Sequence, residues 1–213
     1  MRSRKSRGFS LLELMIVVAL GLTMASVAFM AMMPLFKKNH VDQAYDTTLS
    51  VLRTYRNLAV TQYTRYIITV PNSSTINVQS WAFPPVGSTV SPAPVQVVAY
   101  ALPQDINFAV QAGFPSPGPD GFGTGSTAVY TQNALTAQPT SCTVVESGNL
   151  CLVFYPDGSV QDDQGNYNSG VIYLMQPTSN AYSSRAIDFY GTTGRVRGWR
   201  LYNVSGTNTW EQQ

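Results

Sequence analysis

Few side chains in this 213-residue chain have the types and spacing that chemistry needs, and most of those few are charged rather than nucleophilic. The single histidine, His40, stands just beyond a long apolar run, so neither a Ser-His-acid set nor a histidine-based zinc site can be assembled convincingly. Asp157, Asp162 and Asp163, with Gly158 and Gly165, gather carboxylates as calcium would require. Their spacing departs from an EF-hand loop, however, and Asp157-Gly158 is an ordinary hairpin-turn signal. Gly121-x-Gly123-x-Gly125 neither precedes a helix nor has the spacing of a nucleotide fingerprint. Asn72-Ser73-Ser74 and Asn203-Val204-Ser205 match glycosylation sequons only as patterns. The expectation is a protein that is not an enzyme and carries no cofactor or metal.

The carboxylate that stands out is Glu13. Leu14–Phe36 are 23 residues without a charge, which as a helix would measure about 34 Å, enough to cross a ~30 Å hydrocarbon core. An ionised group at the edge of such a run costs a few kcal/mol unless it has a partner. Ahead of it, residues 1–8 hold Arg2, Arg4, Lys5 and Arg7 and no acid, which predicts a cytoplasmic N-terminus with the remainder sent outward. Lys37-Lys38 on the far side oppose this weakly. An ordinary secretory signal, cleaved near Ser26/Ala28, is the competing reading, but the apolar run exceeds the usual 7–15-residue core of such signals.

Gly8-Phe9-Ser10-Leu11-Leu12-Glu13-Leu14 closely resembles the class III leader of type IV pilins and pseudopilins. The resemblance implies cleavage by prepilin peptidase after Gly8 and N-methylation of Phe9. It also implies pairing of Glu13 with the charged N-terminus of a neighbouring subunit; two buried opposite charges are tolerable together and costly apart. Pilins commonly carry a helix-breaking proline partway along the span, whereas here only Pro34, near its end, is available to kink the helix.

Charged residues make up 11% of the chain, below the roughly 25% of a soluble globular protein. Beyond the basic leader, nine positives face eleven acids, so the chain is not a globally basic nucleic-acid binder. Val41, Tyr45, Leu49, Leu52, Tyr55, Ala59, Tyr63 and Tyr66 recur at helical steps, with Asp42, Asp46, Arg53 and Arg56 mainly off that stripe. Short β-like runs follow at 66–70, 75–81, 95–101, 106–110, 150–155, 171–176, 185–190 and 195–202. Segments 83–94 and 113–126 read as loops, the second (GFPSPGPDGFGTGS) as a plain exposed one. The fold class is α+β: a leader at 1–8, a membrane and assembly half-helix at 9–36, an amphipathic half-helix at 37–66, and a β-rich domain at 67–213.

In the C-terminal part, Phe154-Tyr155-Pro156-Asp157-Gly158, Val171-Ile172-Tyr173-Leu174, Arg185-Ala186-Ile187-Asp188-Phe189 and Gly194-Arg195-Val196-Arg197 resemble, in this order, the GspH/FimT minor pilins and pseudopilins. The partners implied are other pilins in a filament, prepilin peptidase and the inner membrane, with the domain periplasmic before assembly in a pilus or pseudopilus. Some members of that family bind double-stranded DNA through Gly-Arg-x-Arg, which would assign Arg195 and Arg197, with Arg200 and Arg185 as neighbours. As a strand, 195–202 places Arg195 and Arg197 on one face and Arg200 on the other, unless Gly198 makes a bulge. The same segment also reads simply as a turn and strand of the fold. Cys142 and Cys151 flank a hairpin-like stretch, and export to an oxidising compartment favours a disulfide between them.

Overall fold

The computed structural model describes residues 10–81, 94–140, 151–162, 164–177 and 183–213, with backbone alone for 33–38 and 94–96. It divides into two units, Met1–Asn39 and His40–Gln213. A single helix, α1, spans Leu11–Gln62 and opens with the Leu14 N–H donating to the Ser10 carbonyl at 3.1 Å. Its backbone is helical on both sides of Pro34; the missing N–H removes one bond of the ladder without ending the helix. Leu11–Met32 is long and apolar enough to cross a membrane.

In the second unit, Val41, Tyr45, Leu52, Tyr55 and Ala59 are buried, so the tyrosine-bearing stripe is core. The helix stops at Gln62, four residues before the expected end. Tyr63 takes a left-handed conformation with φ 52°, the Thr64 N–H reaches back to the Ala59 carbonyl, and Tyr66 falls on the first strand instead.

Among the described residues eleven strands follow: β1 (Arg65–Asn72), β2 (Thr75–Trp81), β3 (Pro94–Ala101), β4 (Asn107–Phe108), β5 (Val129–Asn133), β6 (Val153–Phe154), β7 (Val160–Gln161), β8 (Asn168–Met175), β9 (Arg185–Phe189), β10 (Val196–Val204) and β11 (Thr207–Gln212). They form two antiparallel sheets, β3-β2-β1-β6-β7 and β11-β10-β9-β8-β4, with β5 also pairing β8. The main core joins α1 to both sheets through Ile68, Ile76, Phe154, Ile172, Leu174 and Ile187, among others.

Alternation along β8 and β9 sends Val171, Tyr173 and Ala186 to the opposite face of the second sheet. There they form a second core with Phe122, flanked by Phe114, Tyr190, Trp199 and Trp210. Segment 113–126 is therefore not a plain exposed loop. Phe114 lies 5.3 Å from both the Tyr173 and Trp210 rings, Phe122 lies 5.1 Å from Tyr190, and Pro119 is buried.

Gly198 makes no bulge, since the pairing of β10 with β9 runs unbroken through it from Val196 to Arg200. Its role is steric: a Cβ there would overlap the Tyr45 hydroxyl, so only glycine lets α1 lie this close to the sheet.

Candidate functional site

Around the apolar span the chemistry is sparse. The Thr23 and Ser26 hydroxyls each donate to a carbonyl one turn back in the same helix, at 2.8 Å, which satisfies them without water. Glu13, in the first turn, is the acid of that turn, where the helix dipole favours a negative charge. Every residue from Leu11 to Met32 is exposed. Gly8 and Phe9 lie outside the described residues.

Residues 3–29 match the family model of the prokaryotic N-terminal methylation motif. The chain is type IV pilin-like in this segment. Comparison with curated proteins gave no match, and neither did comparison with solved structures. The pilin-like segment thus joins an α+β domain whose own residues must be read directly.

The four arginines singled out in the sequence do not form one patch. Arg185 is 1% exposed. Its guanidinium pairs with Asp42 on α1 and donates to the carbonyls of Ser183 and Ser184 at 3.0 and 3.2 Å. Burial lowers its pKa, and the Asp42 carboxylate opposes that shift. This corrects the expectation that Arg185 is a phosphate contact, because a buried, paired guanidinium cannot reach a duplex. Arg200 stands opposite Arg185 across β9 and β10, with its guanidinium 5.3 Å from the Tyr202 ring.

Arg195 and Arg197 both flank the Tyr190 ring, at 4.3 and 5.8 Å, but they differ in charge balance. Arg197 donates to Asp120 at 2.9 Å and is half-buried, whereas Arg195 is exposed. Arg195 lines an open cleft of about 320 Å³ with Arg53, Arg56 and Asn57 of α1. Among the described residues, none of these three arginines forms an ion pair. Arg56 instead ties the helix to two turns, donating to the Gly158 and Thr193 carbonyls at 3.2 and 2.8 Å. Gly194, with φ +58°, fits only without a side chain, because a Cβ would overlap the Gly158 carbonyl. The glycine of Gly-Arg-Val-Arg is thus set by packing.

Sequence reading missed the acidic side of this region. Asp188 is completely buried on β9, opposite Arg197 in register, and accepts the Arg197 backbone N–H at 3.2 Å. Burial pushes its pKa up to about 8, helped by the hydrogen bond and charge of Asp120. Burial alone would raise Asp120 too. Hydrogen bonds from Asp188 and Tyr190, together with the Arg197 guanidinium, outweigh it and hold Asp120 below the ordinary carboxylate range. One signal was available: Asp188 sits between Ile187 and Phe189 in a strand that reads as buried, a position where a carboxylate needs a partner.

Asp157 and Asp162 are turn builders. Asp157 accepts the Ser159 N–H and hydroxyl at 2.9 and 2.6 Å. Asp162 accepts the Gln164 and Asn166 amides at 2.9 and 2.7 Å; Asp163 lies outside the described residues. His40 contacts Asp105 at 2.8 Å, and Asp105 also accepts Gln176. Cys151 is fully buried with the Thr140 hydroxyl 3.7 Å from its sulfur; Cys142 lies outside the described residues.

Proposed function

We propose that the protein is a minor pilin or pseudopilin of the GspH/FimT type, a structural subunit of a type IV pilus or a type II secretion pseudopilus. The GspH/FimT type rests on the order of the C-terminal motifs. The observation that supports the pilin-like part is the methylation motif over residues 3–29, continuous with an apolar helix whose surface is exposed from Leu11 to Met32. Such a surface needs lipid or other helices around it. Prepilin peptidase cuts after Gly8, and Phe9 becomes the methylated N-terminus. The span holds the subunit in the inner membrane, N-terminus inward, until it enters a filament. There Glu13 meets the terminal ammonium of a neighbour, so that neither charge is left alone in an apolar setting. Intact-mass analysis of the native protein tests this directly: the expected chain begins at methylated Phe9. A chain starting at Phe29 would instead identify an ordinary secreted β-domain.

A second reading, weak binding of double-stranded DNA, is favoured by one observation. Arg195, Arg53 and Arg56 line an open cleft without an acid paired to any of them among the described residues. Arg185 cannot take part, and Arg197 is engaged by Asp120.

A further inference from the structure

Segment 113–126 covers the back face of the second sheet. Phe114 and Phe122 pack onto it, and Pro119–Gly121 form a single 3-10 turn carrying Asp120 in a left-handed conformation, φ 51°. That conformation aims the Asp120 carboxylate at the sheet. There it meets Arg197 of β10, Tyr190 just after β9, and Asp188 of β9, which Trp199 of β10 also approaches. Arg195, 4.3 Å from the Tyr190 ring, is the remaining nearby charge. Asp120 thus takes the Arg197 guanidinium, while Asp188 beside it accepts the backbone N–H of the same residue. One positive charge balances one carboxylate, so the second, completely buried, must carry a proton to remain there.

We propose that the Asp120–Asp188 carboxyl pair is a proton-dependent latch that fixes segment 113–126 on the sheet, so that closure of this segment weakens as the pH rises.

The sign follows from linkage. In the closed form Asp188 keeps its proton to about pH 8, while in an opened form it faces water and releases it near the ordinary value of about 4. Between these values opening releases a proton, so the opening equilibrium rises up to about tenfold per pH unit. Above about pH 8 both forms are ionised and the dependence levels off. Asp120, held below its ordinary value, is ionised in both forms throughout this window and adds no slope.

The test uses the full chain in detergent micelles. Amide exchange is followed at Gly118, Gly121 and Phe122, whose N–H groups are bonded within the segment, and is corrected for the intrinsic pH dependence of exchange. Protection should fall steeply from pH 5 to pH 8 and then flatten. In Asp188→Asn, a neutral isostere, it should be independent of pH. Flat protection in the parent chain, or an unchanged slope in Asp188→Asn, overturns the latch. Should Asp188→Asn fail to fold, carbon-13 NMR of the parent chain decides. A buried aspartate carboxyl still protonated at pH 6 supports the proposal, and titration of every aspartate near 4 overturns it.

Discussion

Arg185 on β9 and Asp42 on α1 form an ion pair across 143 residues of sequence, with the guanidinium 1% and the carboxylate 45% exposed. The asymmetry decides what each partner does. Asp42 can return to water if the pair is broken, but Arg185 cannot. The pair therefore fixes α1 on the second sheet and takes Arg185 out of any surface role.

Asp42→Ala strands a buried guanidinium, which typically costs on the order of 3–5 kcal/mol; the half-exposed edge, which admits water, brings the expectation toward the lower end. Thermal unfolding in micelles should show a clear loss for Asp42→Ala. Asp46→Ala, an exposed neighbour on the same helix, should change stability by less than about 0.5 kcal/mol. Equal effects would mean that the pair does not anchor the helix.

Gly198 gives a second handle on the same interface. Gly198→Ala drives a methyl into the Tyr45 hydroxyl and ring, an overpacking expected to cost about 1–3 kcal/mol. Tyr45→Phe removes the hydroxyl, the nearest clashing atom, so the double variant should recover part of the loss. A strictly additive double variant would show that the two positions do not meet.

How much of this was legible follows from where the information lay. The helix, its tyrosine stripe and strands such as Thr75–Trp81 were written in local periodicity. By contrast, β11 (Thr207–Gln212) is mostly polar, with Trp210 its one large apolar side chain; it exists because Ser205 and Gly206, at φ 52° and 87°, turn it back onto β10. Segment 113–126 looked exposed because glycine and proline dominate it, and its two phenylalanines were the overlooked sign of packing. The arginines were legible as a motif but not as partners. Whether a guanidinium is free depends on Asp42 and Asp120, which stand 143 and 77 residues away, and no local pattern reports that.

Cys142 and Cys151 are expected to be joined in the exported protein. Cys151 is fully buried, and there is no free cysteine among the described residues. Alkylation without reductant, followed by mass spectrometry, should label neither. Because the closed loop is short, reduction should lower stability by about 2–3 kcal/mol at most. Stoichiometric labelling of both thiols refutes the bond.

Glu13→Leu should insert into the membrane at least as well as the parent chain, since it removes the acid of an otherwise apolar segment. Incorporation into sheared filaments should fall sharply, because the neighbour's terminal ammonium then lacks its counter-charge. Reduced insertion, or normal incorporation, would remove the assembly role assigned to this carboxylate.

DNA binding, if it occurs, must come from the cleft, because from Lys37 onward nine positives face ten acids and there is no global attraction. Three phosphate contacts, from Arg53, Arg56 and Arg195, give a log–log salt slope of about −2.7, so a fourfold rise in salt should weaken binding roughly 40-fold. The dissociation constant in low salt should be about micromolar or weaker, with no sequence preference, as phosphate contacts carry none. Arg53→Gln with Arg195→Gln should abolish binding while leaving the fold intact, because both side chains are exposed and such substitutions cost under about 0.5 kcal/mol. Arg197→Gln should matter less, since Asp120 already neutralises that guanidinium. Electrophoretic shifts of the full chain in micelles, titrated with salt, separate these outcomes. Absence of binding in low salt, or undiminished binding by the double variant, leaves Gly194-Arg195-Val196-Arg197 as a turn and strand whose glycine is fixed by the Gly158 carbonyl.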